Sequence, residues 1–197
     1  MSGRESEETR DAIKGAATAI ESADALLIMA GAGMGVDSGL PDYRGNEGLW
    51  REYPRLRDLG LSFEAMANPS WFDRDPRMAW AFYGHRQQLY RETTPHRGYA
   101  LVKGWGEAMR DGYFVYTSNV DGHFQSASYE AGRQVECHGY LHRYQCCEPC
   151  HDQVWQDGDI NFQSDMENLE FLDPLPRCPQ CGASYLCGRN PRRSPRS

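Results

Sequence analysis

The sequence of 197 residues lacks three features, and each absence excludes a class of protein. No apolar run approaches the ~20 residues that a membrane-spanning helix needs. The N-terminal segment, Met-Ser-Gly-Arg-Glu-Ser-Glu-Glu, is polar and carries no apolar stretch of a secretory signal. The net charge of −7 leaves no basic excess to neutralise a nucleic-acid backbone. We therefore expect a cytoplasmic protein with no membrane or nucleic-acid partner.

The seven cysteines are bunched in the second half of the chain. Without an export signal, bunched cysteines favour a metal site over disulfides. Cys178 and Cys181 form a Cys-x₂-Cys pair, and it is separated from Cys150 by 27 residues. Two thiolate pairs at this separation fit a tetrahedral structural zinc ion, which has no open position for catalysis. The spacing leaves two partners open for Cys150, because Cys147 gives the ordinary pair and Cys146 lies one residue further away.

A six-residue apolar run, residues 25–30, breaks abruptly into glycines at positions 31, 33 and 35. This pattern predicts a buried parallel strand that enters a tight turn. Glycines allow a phosphate to approach the backbone N–H groups, and the following segment can begin a helix whose positive end faces the ligand. The spacing Gly-x-Gly-x-Gly differs from the dinucleotide motif Gly-x-Gly-x-x-Gly, so an ordinary structural turn remains an alternative to a pyrophosphate site.

Polar side chains follow two further predicted strands, residues 113–117 and 134–137. Asn119 and Asp121 follow the first of these strands, and His138 follows the second. The carboxyl ends of parallel strands face one ligand crevice. An Asn and Asp pair suits a carboxamide, and a neutral imidazole can take a proton from a hydroxyl near pH 7. On residue type alone, a common turn and a structural histidine are the more ordinary interpretations of these residues.

Residues 31–45 continue through Ser38-Gly39-Leu40-Pro41-Asp42-Tyr43-Arg44-Gly45. This stretch resembles the first motif of the sirtuin family of NAD-dependent protein deacylases, of bacterial type. Gly35 stands in place of a serine, Leu40 in place of isoleucine and Tyr43 in place of phenylalanine. The segment Thr117-Ser118-Asn119-Val120-Asp121 is similar to the family's Thr-Gln-Asn-Ile-Asp motif, and His138-Gly139 matches its His-Gly pair.

This resemblance implies a reaction that removes acyl groups from protein lysines and gives nicotinamide and O-acyl-ADP-ribose. His138 is the implied catalytic base, which deprotonates a ribose hydroxyl. The implied NAD-binding residues form the diphosphate turn, the ribose loop and the nicotinamide pocket: Gly31, Ala32, Gly33, Gly35, Asp42, Tyr43, Arg44, Asn119 and Asp121. Ser118 replaces a glutamine that contacts the nicotinamide ribose in the family, and it is too short to reach similarly.

The resemblance also sets the metal ligands and the substrate. The family's first zinc ligand falls eight residues after the catalytic histidine, so the implied zinc ligands are Cys146, Cys150, Cys178 and Cys181. The expected partner is an acylated-lysine protein or peptide, and we expect a monomer. His142 and His151 match no catalytic position, so we expect them on the surface or beside ligand residues. His85 and His96 are expected to be structural.

The predicted fold is α/β, an incomplete Rossmann-like parallel sheet with a small helical module and a three-stranded zinc ribbon. A helix is predicted from residue 8 to 23 and is expected to cover the sheet, and further helices are predicted from Pro76 and over residues 99–110. Aromatic residues in 69–93 are expected to form a core. The expected divisions are a flexible tail (1–7), the NAD-binding core (8–45 and 94–140), a cofactor loop and helical subdomain (46–93), the zinc module (141–183) and a disordered basic tail (184–197). The start of 46–93 is a cofactor lid or an ordinary surface loop.

The resemblance stops near residue 182, where the family continues with further strands of the large domain. We expect a C-terminally truncated sirtuin whose first turn forms but whose NAD site is incomplete, with activity lost as a result. One alternative is an NAD glycohydrolase or ADP-ribosyltransferase, which Ser118 favours. The other is a non-catalytic, zinc-stapled binding module.

Overall fold

The computed structural model describes residues 6–42, 46–146, 150–151, 153–156, 162–183 and 185–187. Its helices are α1 (Glu7–Ser22), α2 (Asn46–Glu52), α3 (Pro54–Asp58), α4 (Phe63–Met66), α5 (Trp71–Arg74), α6 (Pro76–Glu92), α7 (Arg97–Ala108) and α8 (His123–Ser126). Its strands are β1 (Leu26–Ala30), β2 (Tyr113–Thr117), β3 (Gln134–Glu136), β4 (Tyr144–Cys146), β5 (Ser164–Asp165), β6 (Glu170–Phe171) and β7 (Tyr185–Cys187). Two 3-10 helices cover Ala32–Ser38 and Ala131–Arg133. Within the described residues, no helix is long and apolar enough to cross a membrane.

Three parallel strands form the sheet, in the order β1-β2-β3. The predicted Rossmann-like parallel arrangement is therefore confirmed. One face is covered, because Ile28 and Val115 are buried beneath α7 and α8. Parallel sheets are normally covered on both faces. Here the alternate residues of the other face are exposed, namely Leu27, Met29, Phe114, Tyr116 and Val135. The prediction of a fully buried first strand was wrong for this reason.

Helix α1 forms where the apolar spacing predicts a helix. Ser6 caps it by accepting a hydrogen bond from the Thr9 N–H. The expectation that α1 covers the sheet is wrong, since none of its residues is buried and Ile13 is 54% exposed. Amphipathic spacing specifies a helix with an apolar stripe, but it does not specify the surface against which that stripe packs.

Helices α2 to α6 surround an aromatic core. Asp75 caps α6 by accepting from the Met78 N–H, and Pro76 occupies the first helical turn, where its missing N–H has no cost. The indole of Trp80 and the ring of Phe72 meet edge to face, with centroids 5.3 Å apart. Both side chains are almost fully buried, so the prediction that this aromatic stripe is packing is confirmed.

The cysteine-rich part continues the same core. Strands β4 and β7 pair antiparallel, β5 and β6 form a second pair, and Trp155 bridges Tyr144 on the outer side of β4. The expected single three-stranded ribbon is thus two short two-stranded sheets with one added bridge. Strand β7 lies within the range predicted as tail, and it pairs with β4.

This module packs directly on the helices. Phe162 stacks on Trp80 with ring centroids 5.8 Å apart, and Phe171 lies against both rings. We call α2–α6 together with β4–β7 the helical–zinc region, and α1, β1–β3, α7 and α8 the sheet region.

Candidate functional site

The glycine turn (residues 31–39) follows the end of β1. The backbone is extended at Gly31 and then winds into a 3-10 helix, which begins with a 2.9 Å hydrogen bond from the Met34 N–H to the Gly31 carbonyl. Gly39 ends it in the left-handed region at φ 95°, where a side chain would be strained. The tight turn is thus confirmed, and the helix it begins is of the 3-10 type.

The residues of this turn face different surroundings. Gly31 is half-buried, whereas Ala32 and Gly33 are exposed. Gly35 is buried, and a Cβ there would lie 3.1 Å from Leu40 Cδ1. The accessible backbone is therefore at Ala32 and Gly33, and Gly35 lies beneath the turn, where a Cβ would contact Leu40 closely.

The loop after the turn is only partly described. Asp42 is half-buried at the edge of the described range. Tyr43 and Arg44, which the motif assigns to NAD binding, lie outside the described residues.

His96 fixes the glycine turn against α7. Its backbone N–H donates to Ser38 Oγ at 2.9 Å, and its Nδ1 accepts from the Gly98 N–H at 3.0 Å. Since Nδ1 accepts, the ring proton resides on Nε2, which donates to the Met34 carbonyl at 2.9 Å. This histidine is structural, as predicted, and it positions the turn.

The three strand ends align along one edge of the sheet. Ala30 is in register with Thr117, and Thr117 is in register with Glu136. The Ser118 N–H donates to the Ala30 carbonyl at 3.0 Å, and the Cys137 N–H donates to the Thr117 carbonyl at 2.9 Å. Two strand spacings separate the first and third ends, about 10 Å. The glycine turn, Asn119 and His138 therefore begin from adjacent points of the same edge.

Asn119 and Asp121 are buried polar residues in this edge. The Asn119 N–H donates to Thr117 Oγ1 at 3.0 Å, but its buried side-chain Nδ2 has no hydrogen-bond partner among the described residues. Asp121 Oδ1 accepts from the His123 N–H at 2.9 Å. Burial raises the pKa of Asp121, against the opposing effect of that hydrogen bond. An unsatisfied buried amide is costly unless a ligand or water completes its bonding.

A cavity of about 280 Å³ opens beside Asp121. Its walls also include Tyr90 of α6, Ser126 of α8, and Tyr140 and His142 after β3. The buried guanidinium of Arg86 donates to Tyr90 Oη through Nε at 3.1 Å and Nη2 at 2.7 Å. The aromatic stripe of α6 predicts packing alone, and an arginine within such a stripe gives no sequence signal of its burial.

His138 follows β3 directly. Gly139, next to it, has φ 88° and donates its N–H to the Glu136 carbonyl at 3.1 Å, which turns the chain at the strand end. His138 is exposed, and it follows the strand whose end is aligned with the end of β2. His138 is therefore accessible to a ligand.

The four predicted zinc ligands lie together. The Sγ atoms of Cys146, Cys150, Cys178 and Cys181 are all within 4.8 Å of one another. Three of the separations are 3.5, 3.7 and 3.7 Å. The edge of a tetrahedron with Zn–S bonds of about 2.3 Å is about 3.8 Å, whereas a disulfide bond measures about 2.05 Å. The cluster thus has the dimensions of a zinc site, and Cys147 lies outside the described residues.

One ligand of this cluster is electrostatically distinct. The backbone N–H groups of Cys181 and Gln180 point at Cys178 Sγ, and with His151 they lower the pKa of Cys178 to about 6. A thiolate stabilised in this way is ready to bind a metal ion.

Comparison with known proteins agrees with these features. A family model described as "Sir2 family" matches residues 31–187. An NAD-dependent protein deacylase of Thermus thermophilus is 33% identical, over 83% of this chain and 56% of its own. NAD-dependent protein deacylase 2 of Archaeoglobus fulgidus is 32% identical, over 89% of this chain and 62% of its own.

Solved structures show the same fold. A Sir2 homologue in complex with NAD superposes with a TM-score of 0.64 and 25% identity, over 89% of this chain and 60% of the other. A mutant of a Sir2 homologue in complex with ADP-ribose gives a TM-score of 0.68 at 24% identity, over 89% of this chain and 62% of the other. The chain spans a little more than half the length of these relatives. The match over most of its own residues, together with the aligned strand ends and the four-cysteine cluster, shows that the chain belongs to the Sir2 family.

Proposed function

We propose that this chain carries part of the site of an NAD-dependent deacylase that acts on acylated lysines of proteins or peptides. The observation that supports the proposal is the common edge at which β1, β2 and β3 end, since the glycine turn, Asn119 and His138 follow these three strand ends. The names of the similar proteins, NAD-dependent protein deacylases, support the same reaction.

In this proposal the residues that follow each strand have a separate role in binding NAD or in the reaction. The backbone N–H groups of Ala32 and Gly33, with the loop through Asp42, Tyr43 and Arg44, hold the diphosphate and ribose of NAD. Asn119 Nδ2, which has no partner within the part of the chain that the structure describes, donates to the nicotinamide carboxamide, and Asp121 follows two residues later. When bound, NAD would supply a ribose carbon that the acyl-lysine carbonyl oxygen can attack as nicotinamide leaves, so that hydrolysis gives free lysine and O-acyl-ADP-ribose.

His138 acts as the base. The residue is exposed and follows β3 at the edge where NAD is proposed to bind, and in this proposal the imidazole takes the proton of a ribose hydroxyl. The exposure of this side chain matches a group that contacts a ligand better than a group that stabilises a core.

Zinc has a structural task in this proposal. Cys146 lies on β4, Cys178 and Cys181 on the loop before β7, and Cys150 between them, so a bound ion joins both ends of the module. Four thiolates leave no position for a substrate.

Composition and fold also bear on the substrates, the partners and the location of the protein. A net charge of −7 favours basic protein segments as substrates, and we propose a cytoplasmic monomer without nucleic-acid or membrane partners. The exposed face of the sheet supports the further proposal that the NAD site of this chain is incomplete, so that affinity for NAD is low.

The test measures nicotinamide release from NAD by the zinc-loaded chain, with and without an acetyl-lysine peptide. Because low affinity for NAD is proposed, the assay uses NAD in large excess. The proposal then expects slow release that depends on the peptide and falls at least 100-fold in His138→Ala. Gln88→Ala, at an exposed position of α6, is the matched control and keeps the wild-type rate.

Two outcomes contradict the proposal. Release without peptide indicates an NAD glycohydrolase, which Ser118 would favour. A folded, zinc-loaded chain that releases no nicotinamide under either condition indicates a non-catalytic binding module.

A further inference from the structure

The imidazole of His151 lies between two partners next to the cysteine cluster. Its Nδ1 accepts a hydrogen bond from the Gln153 backbone N–H at 3.1 Å. Its Nε2 lies 3.5 Å from Cys178 Sγ. The ring therefore connects the loop after Cys150 with the opposite pair of zinc ligands.

These two contacts determine where the ring proton is. A ring nitrogen that accepts a hydrogen bond carries no proton, so Nδ1 is unprotonated and the proton resides on Nε2. Nε2 then donates towards Cys178 Sγ. A thiolate acceptor makes such a bond charge-assisted, which is stronger than a bond to a neutral thiol.

The orientation of the ring is set by packing as well. The His151 and Trp155 rings have centroids 5.5 Å apart at an angle of 52°. Trp155 in turn exchanges two backbone hydrogen bonds with Tyr144, of 2.7 and 3.1 Å. Tyr144 lies two residues before Cys146 on β4, so the imidazole is anchored to a strand that itself carries a ligand.

We propose that His151 is a positioning residue of the zinc site, which donates its Nε2–H to the Cys178 thiolate and does not bind the metal. Four thiolates around Zn²⁺ leave two excess negative charges, and N–H groups directed at sulfur spread that charge. The His151 bond adds to the backbone N–H groups of Gln180 and Cys181 at the same sulfur. Partners of this kind hold metal ligands in place and raise metal affinity. The inference rests on the proposed zinc site.

The first experiment measures zinc affinity of the full chain by competition with a chromophoric chelator. His151→Ala removes the donor, and we expect about tenfold weaker binding. His151→Gln restores an N–H near the Nε2 position and should recover most of the affinity. Gln153→Ala is the matched control, since only its backbone N–H is used, and it should equal the wild type.

The second experiment replaces zinc with Co²⁺ and records the visible spectrum. In His151→Ala, the sulfur-to-cobalt charge-transfer band should shift to lower energy, because the sulfur loses a hydrogen bond, while the d–d bands keep the pattern of four sulfur ligands. A d–d pattern of three sulfurs and one nitrogen in the wild type would show that His151 is a ligand and would overturn the proposal.

The two proposals fail in different ways. A wild-type chain that binds no zinc refutes the zinc site itself. A wild-type chain that binds one zinc, with the same affinity and cobalt spectrum in His151→Ala, refutes only the role of His151.

Discussion

The helical–zinc region and the sheet region differ in how completely the same chain buries its apolar residues. Among the described residues, eighteen buried apolar side chains form one core in and around the helical–zinc region, against six in the core of the sheet region. In the first, helices and short strands enclose Trp80 from several sides. In the second, one face of three parallel strands is exposed, and Met29 on it is 74% exposed.

We infer from this difference that the candidate site includes residues from two regions of unequal stability. Asp121 and Tyr90 line one cavity, yet the first follows a strand of the open sheet and the second lies on the well-packed helix α6. Regions with few buried contacts open at lower free energy than packed cores. We expect the sheet region to open first, and the following experiments test that comparison.

Removing zinc should have the largest effect and should act on the better-packed region. Chelation, or Cys181→Ser, removes the metal that links β4 to the loop before β7. We expect the free energy of unfolding to fall by several kcal/mol. Hydrogen exchange should show lost protection in β4, β7 and α6, with β1–β3 unchanged. Cys137→Ser, a thiol outside the cluster, is the control. Equal loss of protection in the sheet region would contradict a division into two regions.

A pair of identical substitutions compares the regions directly. Phe82 is fully buried on α6, whereas Phe114 is 40% exposed on the open sheet face. Phe82→Ala should destabilise by about 3–5 kcal/mol and Phe114→Ala by less than about 1 kcal/mol. Chemical denaturation measures both. If Phe114→Ala costs as much as Phe82→Ala, the exposed face is covered in solution.

Two glycines of α7 test the covered face of the sheet. A Cβ at Gly106 would lie 2.6 Å from Tyr113 Cβ on β2, whereas nothing lies within 4 Å of one at Gly104. Gly106→Ala should therefore destabilise by about 1–3 kcal/mol. Gly104→Ala should stabilise by about 0.5–1 kcal/mol through helix propensity. Thermal unfolding of the two variants gives the comparison, and two effects of the same sign would refute the packing of α7 on β2.

Acidification should lower the stability of the folded chain through His142, which lines the cavity. Burial, and then the nearby Arg91 guanidinium, lower the pKa of His142 to about 4. The unfolded chain binds this proton near pH 6.5 and the folded chain does not, so stability falls as the pH drops through the window from about 6.5 to about 4. The loss should be about 1 kcal/mol between pH 6.5 and 5.5.

His142→Asn isolates this contribution. The variant should have a shallower decline than the wild type over the same window, measured by denaturation at each pH. Parallel curves for the two proteins would show that His142 is not held neutral by its surroundings.

The sequence predicts the elements of this protein well where local pattern decides them. The strand at 113–117, the helix from Pro76 and the glycine turn each follow from spacing and from backbone chemistry that acts within a few residues. The aligned edge beneath Asn119 also follows, because parallel strands end at one edge.

What the sequence does not predict depends on contacts between distant parts of the chain. The apolar run of β1 has the pattern of a doubly covered strand, and nothing in it shows that Leu27 and Met29 remain exposed. The roles of His96 and His151 depend on backbone groups that the fold brings to their rings, so no spacing reveals them. Histidine has two nitrogens with different roles, and only the partners distinguish them.

The claim on which the account depends is that three strand ends form one NAD-binding edge. A titration of the ¹⁵N-labelled chain with NAD, followed by amide chemical shifts, tests it directly. We predict that the amides of Gly33, Asn119 and Gly139 shift together along one binding curve, while those of β5 and β6 do not move. No shift at these three amides, or separate curves for each, would contradict the claim.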